Sequence, residues 1–201
     1  MSLTTPQVKA TVSRVNILLR ACGPLSSDFG RAPGRRTCAA VIIRAAVDED
    51  WVKIWPIFSQ IVAAGQTYAY PEDLSLIAAR QLWMEEAPAQ TVVAVDGDVV
   101  LGSAKMRPNR PGRGAHVSTA SFMIDPAAQG RGLGRALGEY AIGWARAAGF
   151  HSMQFNAVVE SNTAAVHLWR SLGFQILGTV PEAFDHPQNG LVGLHVMYRR
   201  L

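Results

Sequence analysis

The residues with the clearest chemical potential are Gln129-Gly130-Arg131-Gly132-Leu133-Gly134. They stand between an apolar run, Ser121-Phe122-Met123-Ile124-Asp125-Pro126, and a segment with helical periodicity. Glycines permit a tight turn and let a ligand approach backbone N–H groups. The first four N–H groups of a helix lack internal partners, and the positive end of the helix dipole lies with them. A phosphate-bearing cofactor suits such a unit. Arg131 and Arg135 add positive charge beside the amides. Two competing nucleotide motifs fail. No Gly-Lys-Ser/Thr occurs, so the loop for nucleoside triphosphates is missing. The dinucleotide fingerprint Gly-x-Gly-x-x-Gly is not met either, because from Gly130 the third glycine arrives one place early.

Gln129-x-x-Gly132-x-Gly134 resembles the Gln/Arg-x-x-Gly-x-Gly/Ala signature of the GNAT superfamily of N-acetyltransferases. Downstream, Asn162-x-x-Ala165-x-x-Leu168-Trp169-x-x-x-Gly173-Phe174 resembles a second signature of that family, Asn-x-x-Ala-x-x-Leu-Tyr-x-x-x-Gly-Phe. Two motifs in this order are more specific than either alone. The resemblance covers residues 41–201 and implies acetyl-CoA as cofactor. It puts the pyrophosphate on the amides of Gln129, Gly130, Arg131, Gly132, Leu133, Gly134 and Arg135. It puts pantetheine on the backbone of Phe122, Met123 and Ile124. Asn162 reads as a helix N-cap, and the resemblance adds a contact to the coenzyme arm.

Acetyl transfer requires a neutral amine, so an ammonium must lose its proton. The strand before the loop offers His116, Ser118, Thr119 and Ser121, and no acid before Asp125. Glu72, His116 and Glu160 are the candidate bases, each with an ordinary structural reading beside it. Trp169 stands where many relatives carry a tyrosine able to protonate the leaving thiolate. An indole N–H donates a hydrogen bond but is no practical acid. Trp169 therefore either packs on the coenzyme or hydrogen-bonds its sulfur. A thiolate leaves tolerably without an acid, since thiol pKa values lie at about 8–9. Asn156 is a polar residue in mid-strand, costly to bury without partners. With Leu168-Trp169 it is similar to fungal acetyltransferases of small cyclic amino acids related to proline. It reads as a ligand for the acceptor's carboxyl or as a bridge between core backbone groups. Tyr68 and Tyr70 read as the cap of a small acceptor pocket.

The elements that must position these groups follow from periodicity. Residues 41–47 form a β-branched strand. Asp48-Glu49-Asp50 starts a helix whose face is Trp51, Ile54, Trp55, Phe58, Ile61 and Val62, with Pro56 expected to kink or break it. A second helix covers 74–86. Strands over 91–95 and 99–107 are joined by Asp96-Gly97, a hairpin signal. A strand over 115–124 feeds the glycine loop. Leu133, Ala136, Leu137, Tyr140, Ala141, Trp144, Ala145 and Ala148 then make one apolar helix face, closed by Gly149. A strand over 152–158, a helix over 162–172 and strands over 175–180 and 194–200 complete the chain, with 181–190 read as a loop. The resemblance implies an α/β (α+β) fold: a mixed, mostly antiparallel sheet of six to seven strands with helices on both faces. The strands carrying Ile124 and Ser152 would splay apart there, and pantetheine would enter the gap.

Composition narrows the function further. The length of 201 residues fits one domain, with an apolar share of 49% that suffices for a core. No apolar run is long enough to cross a bilayer as a helix, and no membrane partner is expected. The net charge of +4 sits in residues 1–40, which hold six basic groups against Asp28 alone. The other residues carry 13 basic and 14 acidic groups, so no nucleic-acid face is expected. Cys22 and Cys38 also lie in residues 1–40 and read as two free thiols, with a disulfide between them as the alternative; the rest of the chain has no cysteine, which fits a reducing, cytoplasmic setting. The five histidines are scattered and suggest no metal site. Residues 1–40 read as an irregular basic extension: a leader, a transit-like segment or an upstream start. Val8, Val12, Val15, Leu18 and Leu19 are spaced for one helical face within it.

The function expected is direct transfer of acetyl from acetyl-CoA to a small-molecule amine, in a homodimer. Residues 41–201 hold no cysteine to carry an acyl group. The alternatives are an acyl-CoA-binding sensor and a protein N-acetyltransferase.

Overall fold

The computed structural model describes residues 40–201 and the two-residue strand Leu19–Arg20. The expectations on Val8, Val12, Val15, Leu18, Cys22 and Cys38 lie outside the described residues, and Leu19 is in a strand rather than a helix. The strands are β1 (Leu19–Arg20), β2 (Ala40–Ala45), β3 (Gln90–Asp96), β4 (Val99–Pro108), β5 (Val117–Ile124), β6 (Ser152–Val159), β7 (Gln175–His186) and β8 (Gly190–Arg200). The helices are α1 (Trp51–Ala63), α2 (Leu76–Trp83), α3 (Leu133–Ala147) and α4 (Thr163–Ser171). All strands join one sheet in the order β1-β2-β3-β4-β5-β6-β8-β7. Every pairing is antiparallel except β5 with β6.

Strand alternation sorts the apolar residues into two cores. Val92 and Ala94 of β3 face one side with Met153 and Phe155 of β6 and the apolar face of α3. Leu133, Ala136, Leu137, Tyr140, Ala141, Trp144 and Ala145 are buried there as their spacing requires. Val93 and Val95 face the other side, where Trp51, Ile54, Ile57, Phe58 and Trp83 of α1 and α2 cover the sheet. Polar groups on this second face are satisfied. Ser103 Oγ donates to the Val92 carbonyl at 2.8 Å and accepts from Trp83 Nε1 at 2.9 Å.

Four local expectations change. Pro56 neither breaks nor ends α1. Proline removes one bond to the carbonyl four residues back; that residue is Val52, on the exposed face of the helix, where an unpaired carbonyl costs little. α2 is shorter than the spacing suggests, because Ser75 caps it and Thr91 Oγ1 donates to the Trp83 carbonyl at 2.8 Å, taking the chain off the helix. The β3–β4 turn centres on Gly97-Asp98, one place beyond Asp96-Gly97, since Asp96 pairs with Val99. Most of 181–190 is strand rather than loop. β7 runs to His186, with a register shift between Val180 and Phe184 where Pro181 has no N–H to offer and Glu182 takes φ 53°.

The entry to α1 depends on one buried carboxylate. Asp50 accepts from Arg44 at 2.6 and 2.8 Å and from the Val47 N–H at 2.9 Å. The Arg44 hydrogen bonds hold its carboxyl below the usual range, against the opposing effect of burial. A lowered folded pKa contributes stability fully above the unfolded value of about 4, and loses it as pH falls through the lower folded value. Asp50→Asn is therefore expected to cost about 1–3 kcal/mol at neutral pH. It should also flatten the acid limb of the stability–pH curve, read by denaturant melts between neutral pH and pH ~3. An acid limb identical to that of the unsubstituted protein would contradict this assignment.

Candidate active site

The glycine loop sits where β5 ends. Asp125 Oδ1 accepts from the Ala127 N–H at 2.9 Å and closes a short turn over Pro126–Ala128. Gly130 and Gly132 then take φ 75° and 78°, the left-handed region that β-carbons disfavour. A β-carbon at Gly132 would meet nothing within 4 Å, so the loop is open above the backbone. Gly132 is the N-cap of α3 and brings no capping side chain. The first helical bond runs from the Ala136 N–H to the Gly132 carbonyl at 3.1 Å, which leaves the Leu133, Gly134 and Arg135 amides without an intrahelical partner. The loop side chains are committed elsewhere. Arg131 lies 3.6 Å from Asp96, and Arg135 donates to Ser171 Oγ at 2.7 Å and lies 3.6 Å from Glu139. Leu133 is buried. Backbone amides and a helix N-terminus thus fit a phosphate group better than the arginines do.

Beside the loop the sheet opens. β5 and β6 keep parallel register only at Val117–Ser152 and Ser118–Met153. Beyond that point they diverge around a cleft of about 760 Å³ that reaches Gln129 and Gly134 at one end and Tyr70 and Arg107 at the other. Backbone alternation decides which groups of β5 face it. The Asp125 N–H donates to Leu101 and the Val117 carbonyl accepts from Asn109, so odd-numbered residues pair with β4. Ala120, Phe122 and Ile124 present their backbone to the cleft. Met123 also lines the cleft, but its side chain is in the core and its backbone pairs with β4. Phe122 is already engaged. The Tyr68 hydroxyl accepts from its N–H at 3.0 Å and donates to its carbonyl at 2.8 Å.

The far wall is α4. Asn162 is its N-cap, with Oδ1 accepting from the Ala165 N–H at 3.1 Å. Trp169 is almost wholly buried, its ring centroid 4.7 Å from Phe122 and 4.9 Å from Phe155. α3 lies against it closely enough that a methyl group at Gly138 would stand 3.0 Å from Trp169 Cζ3 and 2.7 Å from Leu172 Cδ1. Asn156 lines the cleft and is exposed, not buried. It donates to Asn109 Oδ1 at 2.6 Å and accepts from Gln154 at 2.8 Å.

The three candidate bases are not brought together. Glu72 is exposed beside Gly65 and lines a separate small recess with Asp185. His116 precedes β5 at the end remote from the loop, its ring 5.8 Å from that of His151. Glu160 Oε2 accepts from the Gly193 N–H at 3.1 Å. None lines the cleft, and among the described residues its lining includes no aspartate, glutamate or histidine. The ionisable side chains that do line it are Tyr68, Tyr70, Lys105 and Arg107. Burial, followed by the neighbouring Tyr70, pushes the Tyr68 hydroxyl up, so it stays protonated. Burial pulls the Lys105 ammonium down, against the opposing charge of Glu85. Lys105 and Arg107 escaped the sequence reading. The signal was present: two cations at i and i+2 in a strand share one face.

The cleft thus lies between splayed strands with the glycine loop at one end. The Acetyltransferase (GNAT) family model matches residues 46–174, and the chain belongs to that family. A GCN5-related N-acetyltransferase from Kribbella flavida is 58% identical with a TM-score of 0.78, over 80% of this chain and 98% of that one. A phosphinothricin acetyltransferase from Sinorhizobium meliloti, solved with acetyl-CoA, is 25% identical with a TM-score of 0.72, over 80% and 88%. The N-acetyltransferase aca1 of Schizosaccharomyces pombe is 32% identical over 98 residues, 48% of this chain and 47% of that protein. The chain spans less than half the length of the curated relatives it matches.

A valine at Gly132 would force a β-branched residue into the left-handed region and crowd the loop amides. Gly132→Val is expected to raise the acetyl-CoA dissociation constant at least about tenfold, the loss of a single charge-assisted hydrogen bond. The circular dichroism spectrum should be unchanged. Unaltered coenzyme affinity by calorimetry, in a folded variant, would contradict the loop assignment.

Proposed function

We propose that the protein transfers the acetyl group of acetyl-CoA directly to the amine of a small molecule. The observation that carries this reading is the continuity of the cleft, from Gln129 and Gly134 at the start of α3 to Tyr68, Tyr70, Lys105 and Arg107. The loop amides and the cleft edge of Ile124 would hold the coenzyme, with Asn162 and Trp169 on the opposite wall. The coenzyme supplies an acetyl thioester. The amine nitrogen forms the new C–N bond to the acetyl carbon and gives up its surplus proton to solvent, the C–S bond breaks, and coenzyme A leaves as thiolate. No cysteine occurs in residues 41–201, which supports direct transfer over an acyl-enzyme.

Among the described residues no carboxylate or imidazole lines the cleft, which supports loss of the acceptor's ammonium proton to water before attack. The rate should then follow the acceptor's own ionisation. The catalytic unit in this reading is residues 41–201, and β1 joins the sheet at β2, three strands from the cleft. The reading includes a homodimer in the cytoplasm. Exposed Leu177, Val180 and Leu191 on the β7–β8 hairpin support the dimer, and the absence of cysteine from residues 41–201 supports a reducing setting. Among the described residues no helix is long and apolar enough to cross a membrane.

Trp169 tests the wall and the chemistry together. Its ring packs among Phe122, Phe155 and Phe174, which favours a packing role. Trp169→Phe is expected to bind acetyl-CoA less tightly and keep most of its turnover. If the indole N–H held the departing sulfur, turnover would instead fall about 10- to 100-fold at unchanged affinity. That outcome would contradict the packing role. Coenzyme A release across amino acids, polyamines and aminoglycosides tests the proposed activity itself. Tight coenzyme binding without product from any amine would contradict it.

A further inference from the structure

The end of the cleft remote from the glycine loop has a charge pattern that acetyl transfer alone does not need. Lys105 and Arg107 stand at alternate positions of β4 and share one face of the sheet. Across the ladder Lys105 pairs with Ser121 and Arg107 with Thr119, which puts two hydroxyl residues beside the two cations. All four residues line the cleft. One carboxylate serves both cations: Glu85 Oε1 lies 3.7 Å from Lys105 Nζ and 3.5 Å from Arg107 Nε. Lys105 is otherwise spent. It is buried, donates to the Leu82 carbonyl and lies 5.6 Å over the Trp83 ring. Arg107 is not: its side chain is 55% exposed, and Glu85 approaches only at Nε. The three charges leave one positive charge uncompensated, at a place where no acidic side chain among the described residues lines the cleft.

We infer that Arg107, backed by Lys105 and Glu85, is the anchor for a carboxylate on the acceptor, so that the substrates are amino acids rather than simple amines. The inference rests on the acetyltransferase reading above. A guanidinium fork with one edge held by Glu85 presents the other edge for a planar, bidentate partner, and a carboxylate matches it. Thr119 and Ser121 are placed to complete the oxygen shell. Thr119, opposite Arg107, is three residues from Phe122, about 10 Å along a strand. An arginine side chain and one small acceptor cover that span, which puts the amine and the carboxylate only a few bonds apart. Glu85 has a positioning role. It turns Arg107 into the cleft and is itself held by α2, whose end is pinned by Thr91 accepting from the Glu85 N–H at 2.9 Å.

Matched acceptors test this directly. Alanine, methionine, phenylalanine and glutamate are each compared with the corresponding α-carboxamide, at saturating acetyl-CoA, with coenzyme A release as the readout. Expressed per neutral amine, since a carboxamide lowers the pKa of the neighbouring ammonium, the carboxylate member of at least one pair is expected to have a kcat/KM about 10- to 100-fold higher, the scale of a charge-assisted hydrogen-bonded pair. Arg107→Gln should erase that preference by raising KM for the acid. It should leave the carboxamide, and the dissociation constant of acetyl-CoA, unchanged within about twofold. Arg107→Lys should restore part of the preference. Equal use of acid and amide by the unsubstituted protein would overturn the anchor while leaving acetyl transfer standing. So would an Arg107→Gln loss that falls equally on both. Acetylation of none of the eight compounds, when other amines are acetylated, would overturn it as well. Acetylation of no amine at all would overturn the acetyltransferase reading itself.

Discussion

Backbone hydrogen bonding along β5 is the constraint from which the site follows. A strand in the middle of a sheet must satisfy N–H and C=O groups on both edges, because a buried, unpaired peptide group costs about as much as a lost hydrogen bond. One edge of β5 is paired with β4 for its whole length, from Pro108–Ser118 to Gly102–Ile124. The other edge loses β6 after Ser118. The protein fills one of the resulting vacancies itself, by bringing the Tyr68 hydroxyl to both polar groups of Phe122. The neighbouring groups of Ile124 stay at the cleft, next to the loop whose amides begin α3. In the proposed function, an extended, amide-containing coenzyme arm would supply the donors and acceptors such an edge lacks.

The helices on the two faces hold the strands apart and furnish the walls. On one side α3 and α4 approach so closely that Gly138 has no room for a side chain, and this contact seats Trp169 against Phe122 and Phe155. On the other side α1 and α2 bury Trp83 and carry the stacked pair Tyr68 and Tyr70, with ring centroids 5.3 Å apart. Asp50 fixes where α1 begins, and Thr91 fixes where α2 ends. The face that carries Lys105, Arg107, Thr119 and Ser121 lies on the Trp83 side of the sheet, and the glycine loop lies at the other end of the cleft.

Much of this was legible in the sequence, for physical reasons that can be named. The apolar period of residues 133–148, the two glycines in left-handed conformation and the Asn162 cap are local properties, and local chemistry sets them. Pro56 misled because its cost depends on whether the orphaned carbonyl reaches water, which one strip of sequence does not show. The run 181–190 misled because a bulged strand has the composition of a loop. The catalytic bases misled most. His116 and Glu160 are near the motifs along the chain and Glu72 follows Tyr68 and Tyr70, but strand direction and turns send all three to other surfaces. Lys105 and Arg107 reach the cleft through cross-strand register, a long-range property that the alternation of β4 only hints at.

Amide hydrogen exchange with and without acetyl-CoA tests the central claim most directly. In the free protein the Phe122 amide should be protected by the Tyr68 hydroxyl, while those of Ile124, Gly132 and Gly134 exchange faster. Saturating coenzyme should slow exchange at Ile124, Gly132 and Gly134 together and change Phe122 little. Protection appearing elsewhere, with the loop and β5 amides unaffected at saturation, would contradict the claim that the splayed edge and the glycine loop together form the coenzyme site.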